Sequence, residues 1–327
     1  MFTRQLGKTG PTVSALGLGA MGMSDLYGPA DRAESIATIH AALDAGITLI
    51  DTGDFYGMGH NELLIREALA GKDRDAMTIS VKFGALRDPA GGWIGYDGRP
   101  QAVKNFLAYT LSRLGTDHVD IYRLARTDPD VPIEETVGAI QELVEAGYVR
   151  HIGLSESSAD VVSRAAQTAP ISDLQFEYSL ISRGIETEIL PAARANGIGV
   201  TAYGVLSRGL LSGHWSKDRE MSATDFRGFS PRFQGENLDR NLALVETLRA
   251  TAEEAGATPA QAAIAWALSR GEDIVPLIGA RRRERLAEAL KALELDVDTP
   301  ARIEAAVPAD AAAGERYPAA QMSHLSA

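Results

Sequence analysis

The feature that most constrains this chain is an eightfold alternation of short β-like runs with helical patterns. Candidate strands cover 16–20, 48–51, 78–82, 119–124, 150–155, 174–177, 199–202 and 273–277. Helical periodicity covers 34–45, 60–70, 101–114, 133–146, 159–168, 186–195 and 241–269, with one more helix at 281–291. Ala45-Gly46, Ala146-Gly147, Asn196-Gly197 and Gly271 each close a helix just before a strand. Strands separated by helices pair in parallel, with the helix as the crossover. Eight such units in 327 residues predict an α/β fold, a (β/α)8 TIM barrel. A doubly wound sheet is the alternative. Its dinucleotide fingerprint is missing, because Leu16-Gly17-Leu18-Gly19-Ala20-Met21-Gly22 contains no G-x-G-x-x-G that opens a helix.

Three segments lie outside the repeating unit. Arg4-Gln5-Leu6-Gly7-Lys8-Thr9-Gly10-Pro11 has a turn centre that suits a hairpin capping the barrel bottom. The stretch 206–237 is long, weakly periodic and rich in Gly, Ser and Arg, and so long a loop is usually functional. A tail follows Asp296 and carries Ala311-Ala312-Ala313-Gly314, then Glu315-Arg316-Tyr317-Pro318. With no linker evident, residues 1–327 are expected to form a single barrel domain with an N-terminal hairpin and a C-terminal extension.

Composition removes several classes of function. The chain has no Cys, which excludes disulfide scaffolds, thiolate metal sites and a cysteine nucleophile. Its 32 basic and 44 acidic residues give a net charge of −12, which argues against a broad nucleic-acid surface. No apolar run reaches membrane-spanning length, and no apolar h-region follows Met1-Phe2-Thr3-Arg4-Gln5. The 6 histidines show no metal-ligand spacing, and no Gly-x-Ser-x-Gly elbow appears. The expectation is a cytoplasmic enzyme, without nucleic-acid or membrane partners. Homo-oligomer formation is left open.

In a barrel the active site lies at the C-terminal strand ends. There the chain places Asp51 and Tyr56 around the second strand end and Lys82 on the third. Ser155-Glu156 follow on the fifth, Gln175, Glu177 and Tyr178 on the sixth, and Tyr203 on the seventh. An ammonium beside a phenol stabilises the phenolate and lowers its pKa, and a carboxylate holds the ammonium in place. Tyr56, Lys82 and Asp51 therefore suit a tuned general acid. An ion pair at the barrel rim is the plain alternative.

The run Ile47-Thr48-Leu49-Ile50-Asp51-Thr52-Gly53-Asp54-Phe55-Tyr56-Gly57-Met58-Gly59-His60-Asn61-Glu62 closely resembles the signature of the aldo-keto reductases. Gly153-Leu154-Ser155-Glu156 resembles a second motif of that family. The segment Ile274-Val275-Pro276-Leu277-Ile278-Gly279-Ala280-Arg281-Arg282-Arg283 resembles its cofactor-binding end. The resemblance runs in order over nearly the whole chain. It implies a (β/α)8 barrel and metal-independent, NADP(H)-dependent reduction of a small carbonyl compound.

Carried over by position, it makes Tyr56 the proton donor, Lys82 its tuner and Asp51 the partner of the lysine. Ser155 and Gln175 match positions that hold the nicotinamide carboxamide, and Tyr203 matches the aromatic that stacks on the ring. Gly19, Ala20 and Met21 on the first strand end, and Gly279 on the last, fall at the cofactor as well. Leu206, Ser207 and Gly209 resemble the segment that wraps the pyrophosphate. Arg281 and Arg285 match 2′-phosphate ligands, and Glu288 an adenine contact. Arginines at a helix N-terminus suit such a phosphate on physical grounds too.

Several positions depart from the family pattern. Glu156 stands where Asn is usual, Gly204-Val205 where Ser-Pro is common, Ala280 where Ser or Thr is usual, and Ala289 where Asn is usual. Ala125 stands where the family commonly has His. Strand alternation places residues 121, 123 and 125 on one face. Arg123 is therefore expected to rise into the space left by the imidazole and to face Asp51 or the substrate. Neutralisation of a buried carboxylate by Arg123 is the competing reading. Arg126, of opposite parity, is expected to be structural. Phe55, Trp93 and Tyr96 are expected to form an apolar pocket wall. Three functions follow: a carbonyl reductase using NADPH, an NADPH-binding sensor with little turnover because of Ala125, and a lyase using Lys82 as a Schiff base.

Overall fold

The computed structural model describes residues 1–322 apart from Asp25, Thr224 and Val297. Eight parallel strands close into a barrel in chain order. They are β1 (Gly17–Gly19), β2 (Leu49–Gly53), β3 (Thr78–Phe83), β4 (Val119–Leu124), β5 (Val149–Ser155), β6 (Ile171–Glu177), β7 (Gly199–Tyr203) and β8 (Ile274–Gly279). The helices are α1 (Arg32–Asp44), α2 (His60–Ala68), α3 (Pro100–Leu114), α4 (Ile133–Glu145), α5 (Ala159–Thr168), α6 (Ile189–Ala195), α7 (Gly235–Glu254), α8 (Pro259–Ser269), α9 (Arg283–Leu290) and α10 (Thr299–Ala306). The expected barrel is therefore the observed one.

Local signals set the helix ends. Asp31 caps α1 by accepting from the Glu34 N–H at 2.7 Å, and Gly115 ends α3 in the left-handed region at φ 68°. One expected helix is two. The reading over 241–269 breaks at Gly256, where φ is 66°. Thr258 and Gln261 then form a capping box, and Pro259 occupies the first turn of α8. A side-chain cap of this kind contributes about 1 kcal/mol, enough to favour a restart over continuous helix.

The core has two parts. Between barrel and helices lies a large apolar layer that includes Leu16, Ile50, Val81, Tyr122, Leu154 and Trp266. Inside the barrel lies a small cluster of Leu49, Ile121, Val275 and Leu277, plugged from below by Leu6 and Val13. Leu6 and Val13 belong to the expected N-terminal hairpin, whose strands Thr3–Gln5 and Thr12–Ser14 pair antiparallel. Period-two alternation then dictates what lies above that plug. Two residues beyond Leu49 comes Asp51, and two beyond Ile121 comes Arg123. The lumen thus changes from apolar to ionic within one layer. Among the described residues no helix is long and apolar enough to cross a membrane.

Candidate active site at the barrel mouth

The ionic layer centres on Asp51. Its Oδ1 accepts from Lys82 Nζ at 2.5 Å. Its Oδ2 accepts from Gln175 Nε2 at 2.7 Å, Ser80 Oγ at 3.0 Å and Arg123 Nη1 at 3.3 Å. Burial pulls the Lys82 ammonium down to about 8, with Asp51 pulling it back. Below, Arg123 also pairs with Asp173 and donates to Thr201 Oγ1 at 3.3 Å. Burial pushes the Asp173 carboxyl up, and Arg123 draws it down. A glycine makes room for this arginine: a Cβ on Gly153 would lie 3.0 Å from Arg123 Nε.

These contacts correct one expectation. Arg123 does not rise beside Ala125. It is 0% exposed and stays one layer down, locked between two carboxylates. An arginine there gains more from two buried anions than from reaching an open mouth.

Tyr56 begins an irregular turn over Tyr56–Gly59 just past β2. Its ring meets Phe55 edge-on at 4.8 Å, and Lys82 Nζ lies 5.2 Å from the ring centroid. Among the described residues its hydroxyl has no hydrogen-bond partner. Burial drives its pKa well above the usual value, Asp51 adds to this, and Arg126 opposes it. Burial thus outweighs the expected lowering by Lys82. Phe55 continues into Trp93 at 5.6 Å, on a hairpin of Ala85–Arg87 and Trp93–Tyr96 above the mouth. Phe55 and Trp93 are thus in contact, and Tyr96 ends the same hairpin.

Arg126 is the second correction. Alternation holds only within a strand, and β4 ends at Leu124. The chain turns at Ala125, so Arg126 swings over the mouth. It donates to Ala125 O at 2.6 Å and approaches the Tyr317 hydroxyl at 3.5 Å. Its charge is felt at Tyr56 and Lys82.

Tyr317 comes from the tail, which sequence reasoning left without a role. Asn241 holds the tail through Ala313, and Gly314 turns at φ 83° where a Cβ would meet Asn237 at 2.8 Å. The chain then enters the mouth. Tyr317 shares a hydrogen bond of 2.9 Å with the Tyr203 hydroxyl. Arg316 forks onto Glu156, with Nη1 at 3.1 Å from Oε1 and Nη2 at 2.7 Å from Oε2. Glu156 also accepts from Tyr203 at 2.8 Å and from the Glu177 N–H at 2.8 Å. Burial pushes the Glu156 carboxyl up, but Arg316 and Arg126 bring it below the usual value. Glu177 in turn faces Arg208 at 3.2 Å and Arg232 at 3.8 Å.

Backbone strain gathers at this same end. The described non-glycine residues with positive φ are Met58, Glu156, Ser207 and Arg208, and each follows a strand of the barrel. Each costs of order 1–3 kcal/mol, and such costs cluster at functional sites.

The aldo/keto reductase family profile matches residues 15–308. The chain belongs to the aldo/keto reductase family. It is 39% identical to "Probable aldo-keto reductase 1" of Glycine max over 316 residues, which is 96% of this chain and 91% of that protein. Among solved structures it resembles the glycerol dehydrogenase AKR11B4 of Gluconobacter oxydans. The TM-score is 0.83 at 28% identity, covering 93% of this chain and 94% of that one. It also resembles the holo form of aldo-keto reductase AKR11C1 of Bacillus halodurans, with a TM-score of 0.77 at 26% identity, covering 97% and 100%. As an aldo/keto reductase it is an oxidoreductase of a family that acts on small carbonyl compounds, generally with a nicotinamide cofactor.

The residues of this aldo/keto reductase fit such a cofactor. The Ser155 hydroxyl is buried and lacks a partner among the described residues, so it is free for an outside polar group. Gln175 lies beside it in register. Ser207, Arg208 and Gly209 follow β7 with φ of 45°, 57° and 93°. Leu206 caps that turn, and Ser207 N–H bonds Gly204 O at 2.6 Å. Gly19 lies at the end of β1, Ala20 donates to Asp51 O at 2.9 Å, and Met21 opens a short turn. A Cβ on Gly279 would meet nothing, so that edge is open.

Arg281 spends one amino group on the carbonyls of Tyr27, Gly28 and Pro29, each at 3.1 Å. Burial, then Arg227, Arg219 and Arg282, draw its pKa down. Clustered cations that repel one another gain from a bound anion. Arg285 and Glu288 pair with each other at 3.2 Å, and Glu288 also meets His214 at 3.1 Å. The sequence reading missed Arg219, which stacks on Trp215 at 4.7 Å, because its loop has no periodicity.

Proposed function

We propose that this protein reduces an aldehyde or ketone to an alcohol with NADPH, and that Tyr56 donates the proton. The observation that carries this reading is the Tyr56 hydroxyl. It stands unpaired above the Asp51–Lys82 pair and is held neutral by burial. A general acid must carry its proton when the substrate binds, and a neutral phenol with an unpaired hydroxyl does so. When bound, the nicotinamide supplies the hydride from its C4.

The chain's own groups supply the rest. Lys82, held by Asp51, places a positive charge beside the phenol, which steadies the phenolate left after proton transfer. Ser155 and Gln175 would hold the carboxamide, and Tyr203 would flank the ring. The turn at Leu206, Ser207 and Gly209 would line the pyrophosphate, with Gly19, Ala20, Met21 and Gly279 along the opposite edge. Arg281 and Arg285 would face the 2′-phosphate, and Glu288 the adenine. Arg123 acts here as a positioning residue that fixes Asp51 from below.

The test is NADPH consumption against a panel of aldehydes and ketones, with NADPH affinity measured separately. Turnover by the wild type and none by Tyr56→Phe, at unchanged affinity, is the expected result. Tight NADPH binding without turnover on any carbonyl compound would instead favour the sensor reading, which rests on Ala125. Failure to bind NADPH would sink both.

A further inference from the structure

The mouth holds two carboxylates, and both are neutralised. Arg316 takes Glu156, while Arg208 and Arg232 face Glu177. Below them, Asp51 and Asp173 are matched by Lys82 and Arg123. Arg126 is left over. Among the described residues it forms no ion pair, and its hydrogen bonds go to a carbonyl and a phenol. Its guanidinium is half-buried among Tyr96, Tyr203 and Tyr317, next to the Tyr56 site, and it feels Glu156, whose direct ion pair is with Arg316. A guanidinium taken from bulk water without a direct ion pair is costly, and its planar fork matches a carboxylate.

We propose that Arg126 is a specificity-determining residue, and that it binds a carboxylate carried next to the reacting carbonyl. The substrate class is then a 2-oxo carboxylate, with its apolar part along Phe55 and Trp93. This rests on the reductase reading above. The carbonyl carbon accepts the hydride of NADPH, and its oxygen accepts the Tyr56 proton. The 2-oxo acid becomes a 2-hydroxy acid, NADPH becomes NADP⁺, and solvent reprotonates Tyr56.

The experiment compares benzoylformate with its methyl ester in wild type, Arg126→Leu and Arg126→Lys. In Arg126→Leu, kcat/KM for the acid falls by roughly 100-fold, as expected for a lost charged hydrogen-bonded pair, and for the ester by a few-fold at most. Arg126→Lys keeps the charge without the fork and recovers part of the loss. A second readout needs no turnover: calorimetric titration of phenylacetate and phenylacetamide, with and without NADP⁺. Wild type binds the carboxylate more tightly than the amide, and Arg126→Leu does not. Equal losses for acid and ester, or no carboxylate preference in the wild-type titration, overturn the assignment. If neither compound is reduced, the carbonyl panel above decides the reductase reading, and the titration alone still decides Arg126.

Discussion

The lumen beneath Tyr56 and the mouth above it use the same residue types in opposite states of balance. Below, Asp51 and Asp173 meet Lys82 and Arg123, and every charge has a partner. Above, four arginines face Glu156 and Glu177; Arg208, Arg232 and Arg316 pair with them, and Arg126 has no direct ion pair among the described residues. A balanced buried set is a structural device, since removing any member strands a charge. A set with more cations than anions gains from an anion brought from outside. The difference separates what holds the site from what the site is for.

The comparison can be broken in several ways. The largest effect is expected at the boundary between the two regions. Tyr56→Phe should lower kcat by about 1,000-fold or more, within the range that a general acid supplies, with NADPH affinity unchanged. A large loss of affinity would make Tyr56 structural.

Next come the ion pairs. Arg123→Leu strands Asp173 and part of Asp51, and Arg316→Leu strands Glu156. Each should cost about 3–5 kcal/mol in urea denaturation. Adding Glu156→Gln should restore most of the Arg316→Leu loss. Arg126→Leu, with no directly paired carboxylate to strand, should cost far less in the same experiment. A loss as large as that of Arg123→Leu would erase the distinction.

A third test uses a carboxyl outside both regions. Asp54 is buried, and both its oxygens lack partners among the described residues. Burial, with Glu62 nearby, pushes its pKa to about 8. The folded state keeps this proton while the unfolded chain loses it near its ordinary value. Stability from this group is therefore full below that ordinary value and is lost as pH rises towards about 8. Asp54→Asn should gain Tm relative to wild type between acidic and mildly alkaline pH. A constant difference across that range would refute the shift.

The smallest effect belongs to the cofactor edge. Arg281→Ala should weaken NADPH by about 10-fold while leaving NADH nearly unchanged, and Arg219→Ala by less, since exposed charges are screened. Equal losses for both nucleotides would remove the 2′-phosphate role.

Much of the fold was legible because a barrel repeats one local rule. Strands and crossover helices follow from short-range patterns, and alternation within β2, β3 and β6 brings Asp51, Lys82 and Gln175 into the lumen. Legibility ended where strands ended. Arg126 lies two residues past β4, where alternation predicts nothing. Arg123 was read on the correct face but at the wrong height, since its second partner Asp173 is fifty residues away. Glu156 was visible as a departure from Asn, yet its answer, Arg316, is 160 residues along the chain.

The sequence by itself determined the barrel, the membership of the lumen and the residue types around Tyr56, because these depend on periodicity and motif. Only the tertiary structure decided which charges cancel. Ion pairing depends on distance in space, and the tail that neutralises Glu156 reaches the mouth through contacts that no local pattern encodes.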